Sequence, residues 1–391
     1  MRLLFVLPNI ISYGFLRELC VSLIADGHEL HLACSRARLL DGVSPATQDG
    51  VQVHDIQFAR GINPARHAQA SRALAQLVRA LEPDLVHAHF SAAIFTTALA
   101  HSSAWPTTMA TFHGLSFPAQ RGWKAAVLRQ VETWAARQFD AVWVLTDDDR
   151  DRLRAASSTI RVETLSSFGV GCNLAKFEPP SSAAKSERRG ELGFREHDRV
   201  FAFVGRFVDF KGFALTARAF LRLAEEDSSA RLLLIGARDP LHPTGLTPAE
   251  ERALWNSTRV LDTGFRRDVH RYLVAADALV FPSSREGMPV CAMEALAMGV
   301  PVITRASRGC RHVVRDGIDG LVLEDCSAEN LRAAMRGLTG DPALRDRLSQ
   351  NAIAGRDRFA RRHFIEEQKC ILARVADVAP SRAPRLEPAY S

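Results

Sequence analysis

Short apolar runs alternate with amphipathic segments along most of the chain. RLLFVLP has the continuous apolar character of a buried strand, GFLRELCVSLIADG carries apolar residues at helical spacing and stops on glycine, and HELHLAC is strand-like again. The chain therefore opens with a predicted βαβ unit. The pattern continues: HAQASRALAQLVRALEP predicts a helix ending before Pro83, DLVHAH and TTMATFHG two strands, RGWKAAVLRQVETWAARQF a helix, and DAVWVLT a strand. Periodicity lapses in SSFGVGCNLAKFEPPSSAAKSERRGELGF, where Gly, Pro and Ser cluster, and this stretch is the predicted domain boundary. Alternation then restarts with RVFAFVG, a helix from Lys211 to Glu226, RLLLIG, a segment ALWNST, VLDTG, a helix from Arg267 to Ala276, DALVFPS, VPVITR and GLVLE. The expectation is an α/β protein of two Rossmann-like domains facing each other, residues 1–172 and 173–365. Residues 366–391 are read as a helix end and a Pro-rich, frayed tail.

Composition narrows the partners. The 391 residues, 47% apolar and 24% charged, are enough for two cores. The formal charge of +6 comes from scattered Arg instead of a basic block, which favours an anionic ligand or a membrane surface over a nucleic-acid groove. No nucleic acid is expected. Seven widely spaced cysteines with no C-x-x-C pair fit reduced thiols in the cytoplasm. MRLLFVLPNII lacks a cleavage site and leads straight into a helical pattern, and no later run has the apolar length to span a bilayer, so neither a signal peptide nor a transmembrane helix is expected.

Candidate chemistry gathers at predicted strand ends. In SSREGMPVCAMEALAMGVPVIT, Glu286 lies in the loop after the strand DALVFPS, and Pro289 suits the first turn of the helix that carries Glu294. Ligands of open α/β sheets bind at such carboxyl edges, where helix-start amides suit a diphosphate. A carboxylate beside those amides would repel phosphate but accept hydrogen bonds from sugar hydroxyls. Alternatively, the two glutamates are solvated residues on an exposed helix face. FVGRFVDFKG adds Arg206 directly after Gly205, and Lys211 at the next helix start, two cations able to clamp a diphosphate or simply solvated near a loop. GCRHVVRDGIDGLVLE supplies another strand-end loop at Gly309.

Taken in order, VGRFVDFKG, EGMPVCAMEALAMGVPVI and GCRHVVRDGIDGLVLE resemble the carboxyl-terminal nucleotide-sugar domain of the family 4 retaining glycosyltransferases. RGINPARHAQASRAL, DLVHAHFS, ATFHGLSF and GVGCNLAKF are similar to segments of the branch that builds bacterial surface polysaccharides on lipid carriers. The resemblance implies the GT-B fold with a central cleft, a UDP-sugar in preference to other donors, a lipid-linked saccharide acceptor, and peripheral contact with the anionic inner face of the cytoplasmic membrane. It implies that Arg206 and Lys211 hold the diphosphate and that Gly205, Gly287, Met288, Pro289 and Val290 border the donor. Glu286 would take a sugar hydroxyl, Glu294 the ribose, and His113 of TFHG the sugar face from the other domain. Gly14, His87, His89 and His113 would form the acceptor side. The chain departs from the family in PNIISYGFLREL, where a glycine-rich loop is reduced to Gly14, in FSAAIF, which lacks a Lys, and at Asn173, which stands where Asp is usual.

A departing nucleoside diphosphate needs its growing charge stabilised, and two side-chain cations and helix-end amides can do so without a metal. No metal or cofactor is expected, and the resemblance implies same-face transfer. TDDDRDRL is read as a capping box from Thr146 to Asp149, not as a metal-binding D-x-D. His87 and His89 alternate on one strand without further ligands of matching spacing, and are read as a strand-end pair lining the cleft. Gly169 and Gly171 do not complete a dinucleotide fingerprint. Trp123, Val127, Val131 and Trp134 form one helical stripe flanked by Arg121, Lys124, Arg129 and Arg137, read first as core and second as a membrane-facing amphipathic helix. Two rivals stand beside the transferase: a nucleotide-sugar 2-epimerase of the same fold, and a silent nucleotide-sugar-binding protein.

Overall fold

A computed structural model describes residues 1–36, 45–59 and 63–378. The expected tail beyond residue 378 and the first three residues of RGINPARHAQASRAL lie outside them. Among the described residues, thirteen strands form two parallel sheets. The first contains β1 (Arg2–Asn9), β2 (Glu29–Ser35), β3 (Gln52–Asp55), β4 (Leu85–His89), β5 (Thr107–Phe112), β6 (Ala141–Val144) and β7 (Val162–Thr164), in the order β3-β2-β1-β4-β5-β6-β7. The second contains β8 (Arg199–Val204), β9 (Ala230–Ile235), β10 (Val260–Asp262), β11 (Ala278–Phe281), β12 (Val302–Arg305) and β13 (Gly320–Leu323), in the order β10-β9-β8-β11-β12-β13. Strand direction of winding reverses between β1 and β4 and again between β8 and β11. Those two switch points put a crevice at the carboxyl edge of each sheet.

The central strands are apolar on both faces because helices cover both. All five residues of β4 are buried, as are all four of β11. Phe201, Phe203, Phe213 and Phe220 fill the second core, and Phe5 and Phe112 the first. The last described helix, Arg361–Val378, returns to the first domain, where Phe364, Ile371 and Leu372 join its core. Glu367 accepts the amides of Ser166 and Ser167 at 2.6 and 3.0 Å, so this return runs beside the chain that leaves the first domain.

The boundary stretch holds a helix, Ser182–Glu191, that hydrophobic periodicity did not predict. Its docking face is ionic. Arg189 and Lys185 both reach Asp277, at 2.5 and 2.9 Å, and Ser181 caps its start. The stripe on the helix Gly122–Ala136 is not core: Trp123 is 71% exposed, and Val127 and Trp134 are also exposed. That helix buries the opposite face, with Glu132, Thr133, Ala135 and Ala136. Among the described residues no helix is long and apolar enough to cross a membrane.

Candidate active site

Sheet order brings the candidate residues to the two switch points. Gly14 lies in the exposed first turn of the helix that follows β1, with open space in front of it. β4 carries His87 and His89, and β5 leads into His113. His87 and His89 are 0% exposed, so neither lines the cleft; a central strand covered on both faces turns even its last residues inward. Instead they form a column behind His113. His87 and His89 rings are 4.0 Å apart, His87 Nε2 lies 2.8 Å from Thr111 Oγ1, and His89 Nδ1 lies 3.2 Å from His113 Nε2. Burial pushes the imidazoles down, to about 3 for His87 and about 4 for His113, and well below the usual value for His89. All three are neutral at physiological pH. The ring of Phe90 stacks on His113 at 4.1 Å, and Phe90 has φ 68°, a conformation that costs a non-glycine residue roughly 1–3 kcal/mol. His113 is thus fixed from behind and from one face.

In the second domain Gly205 directly follows β8 with φ 144° and Arg206 comes next, half-exposed and paired with Asp239. Its guanidinium also lies over Phe210, 5.4 Å from the ring centre. Lys211 faces inward, with Nζ 2.6 Å from Glu286 Oε1, an oxygen that also accepts from Ser283 Oγ at 2.7 Å. The structure therefore brings Lys211 and Glu286 together and leaves Arg206 turned outward. Pro289 stands at the N-cap position, just before the helix Val290–Ala297 that carries Glu294 and not within its first turn, and makes no side-chain capping bond. Burial raises the Glu294 carboxyl to about 7 although the charges of Arg361 and Lys176 pull it down.

The domains meet at glycines. A Cβ on Gly287 would stand 2.1 Å from the His113 carbonyl oxygen, and one on Gly309 would stand 2.4 Å from that of Gly287. Gly114 is equally tight: its Cβ would lie 2.8 Å from Gly287 Cα. The donor loop is thereby pressed against the segment that carries His113. On its other side Met288 borders a cavity of about 490 Å³, walled by Thr146, Arg150 and Ser166 of the first domain and His312 of the second.

The roles of three residues that hold this segment escaped the sequence reading. Glu132 accepts the amides of Ser116 and Phe117, at 3.0 and 3.1 Å, and Asp149 accepts that of Leu115 at 3.3 Å. Arg308 crosses from the second domain to pair with Asp149. Thr146 does cap the Asp149 amide, but the Asp149 carboxylate goes to Leu115 and Arg308, so the expected reciprocal capping box is not formed. Nothing in the spacing of TDDD distinguishes a buried acid from its two solvated neighbours. Among the described residues no cluster of three or more His, Cys, Asp or Glu is placed to hold a metal ion.

Residues 184–354 match the family described as Glycosyl transferases group 1, and residues 15–165 match the Glycosyl transferase 4-like domain. The chain belongs to the GT-B glycosyltransferases of the GT4/GT1 superfamily. This glycosyltransferase is 27% identical over 356 residues to EpsD of Bacillus subtilis (strain 168), itself assigned as a glycosyltransferase by inference, covering 90% of this chain and 91% of that one. It is 25% identical over 291 residues to the UDP-Gal:alpha-D-GlcNAc-diphosphoundecaprenol alpha-1,3-galactosyltransferase of Escherichia coli, covering 73% and 74%. The crystal structure of Anabaena HepE in complex with UDP and glucose has the same fold, with TM-score 0.78 at 18% identity over 95% of this chain and 99% of that one. In the glycosyltransferase the family's two domains thus coincide with the two sheets, and the cleft between them is where Lys211, Glu286 and His113 converge.

Proposed function

We propose that this glycosyltransferase moves a hexosyl group from a UDP-sugar to a lipid-linked saccharide, with retention of configuration and without a metal, at the inner face of a cytoplasmic membrane. The observation that carries the reading is the Lys211–Glu286 pair, held at 2.6 Å on the β8 and β11 edges, with His113 delivered against the same loop. A diphosphate arriving at Lys211 competes with Glu286 for the ammonium, which frees the carboxylate to accept a sugar hydroxyl. Arg206 leaves Asp239 to reach the diphosphate. Glu294, partly buried and ready to ionise near neutral pH, accepts from the ribose hydroxyls.

In the reaction the bond from the anomeric carbon to the β-phosphate oxygen breaks and a bond to the acceptor oxygen forms on the same face. The acceptor's hydroxyl proton passes to the departing diphosphate, and Lys211, Arg206 and the amides at the start of the helix Val290–Ala297 stabilise the charge. Neutral His113 lends a hydrogen bond to the sugar. Contact between the domains excludes water and so limits donor hydrolysis.

The lipid-linked acceptor is supported by the diphosphoundecaprenol-linked saccharide named as the substrate of the Escherichia coli relative. A second support is the helix Gly122–Ala136, whose exposed Trp123 and Val127 stand among exposed Arg121, Lys124 and Arg129, as a headgroup-level amphipathic surface requires. The test is the anomeric configuration of the product by NMR, in excess EDTA, for the parent and Lys211→Ala. Retention by the parent and at least tenfold slower transfer by the variant is expected, from loss of a charge-assisted contact of about 1.5–3 kcal/mol. Inversion, or abolition by EDTA with rescue by manganese, would overturn the reading.

A further inference from the structure

Arg308 begins the short helix Arg308–Val313, directly before the Gly309 contact, yet its guanidinium belongs to the first domain. It pairs with Asp149, and its Nη2 donates to the Leu115 carbonyl at 3.1 Å. Asp149, 0% exposed, accepts the Leu115 amide. Leu115 is therefore held at both backbone groups by one ion pair whose members come from different domains. His113 stands two residues earlier. On its own side, the Arg308 loop is anchored by Ser307, whose hydroxyl donates to the Ser283 carbonyl at 2.7 Å, and Ser283 in turn donates to Glu286. A continuous set of contacts thus runs from the donor carboxylate through Ser283, Ser307 and Arg308 to the His113 segment.

We propose that Arg308 is a positioning residue for transfer, locking the His113–Leu115 segment of the first domain onto the Glu286–Met288 loop of the second. The lock accounts for two features together: a carboxylate buried where desolvation is costly, and three glycines whose packing tolerates no Cβ. Without the guanidinium, the Leu115 amide only partly offsets the burial of the Asp149 carboxylate, which favours an open cleft in which that carboxylate meets water. Open and closed cleft then exchange, and His113 is in place only part of the time. The inference rests on the proposed role of His113 for its kinetic part, but the locking itself does not.

Arg308→Ala, Arg308→Lys and the charge-free pair Asp149→Asn/Arg308→Gln are compared with the parent by three readouts. Small-angle scattering reports the radius of gyration, calorimetry the affinity for UDP, and steady-state kinetics kcat and KM for the UDP-sugar. Arg308→Ala is expected to expand in solution, to keep UDP affinity within about twofold, and to lose kcat roughly tenfold or more with donor KM little changed, because only correct positioning is lost. Arg308→Lys should restore part of kcat, since an ammonium reaches Asp149 but cannot fork to Leu115 as well. The double variant removes the stranded charge together with the ion pair, so it should remain folded and expand less than Arg308→Ala. Unchanged scattering in both Arg308→Ala and the double variant would overturn the lock, whatever the activity. UDP affinity falling in step with kcat would place Arg308 in the donor pocket and also overturn it. If the parent itself transfers no sugar, the function proposed above fails while scattering still decides the lock.

Discussion

His89 Nδ1 and His113 Nε2 share one hydrogen bond, 3.2 Å long, at the inner end of the cleft. One of the two nitrogens must carry the proton and the other accept it, so the tautomer of the buried ring sets what the exposed edge of the other presents to a substrate. His87 lies behind them, and burial keeps the whole column neutral.

That column should show in acid. A histidine whose native pKa is depressed stabilises the fold above its unfolded pKa, near 6.5, and the benefit is lost as pH falls toward the native value, at up to about 1.4 kcal/mol per pH unit for each group. Asp149 and Glu294, raised to about 6 and about 7, act in the opposite sense and oppose the slope. The informative quantity is therefore a difference. His89→Gln is expected to be less stable than the parent at pH 7.5, with the gap in urea-unfolding free energy narrowing as pH falls from 6.5 to 5. A gap that stays constant would mean that His89 is not held neutral.

Glu294 and Glu286 should divide the donor between them. Glu294→Ala is expected to weaken UDP and UDP-sugar alike by about 1.5–3 kcal/mol, the worth of a charge-assisted hydrogen bond, whereas Glu286→Ala spares UDP. Because Glu294 titrates near 7, the parent's affinity for a UDP-sugar, which has no phosphate ionising in this range, should fall as pH drops through 7, and Glu294→Gln should be flat. Calorimetry at pH 6 and 8 reads both. Equal UDP losses in the two alanine variants would end the division of roles.

The exposed helix Gly122–Ala136 should bind anionic vesicles in a salt-sensitive way, each cation near the surface contributing about 1 kcal/mol. Co-sedimentation with phosphatidylserine-containing vesicles should weaken on neutralising Arg121, Lys124 and Arg129, and weaken further with Trp123→Ala, since Trp123 is committed to no core. Equal sedimentation of parent and charge-neutralised protein would remove this helix as the docking face.

Both sheets and most helices were legible because α/β strands and amphipathic helices announce themselves by period, and the carboxyl edges of those strands then pointed to Lys211 and Glu286, whereas His113 came only from the family resemblance. The helix Ser182–Glu191 was not legible because its buried side is Arg189 and Lys185, and β3 and β7 escaped as short edge strands with little apolar character. The stripe from Trp123 to Trp134 had the correct period but the wrong inferred partner, since periodicity says that a face is apolar and not what covers it. Asp149 was hidden among three successive acids: only the approach of Leu115 and Arg308 from distant positions separates it from Asp147 and Asp148, which are exposed.

The most direct test of the whole account is mass spectrometry of products after incubating the purified protein with UDP-hexoses and a polyprenyl-diphosphate-linked saccharide, with free UDP measured in parallel. The account predicts a glycolipid heavier by one hexosyl unit and UDP released in equal amount. A nucleotide-sugar whose sugar is altered but still attached, with no UDP released and the glycolipid unchanged in mass, would contradict it and identify an epimerase.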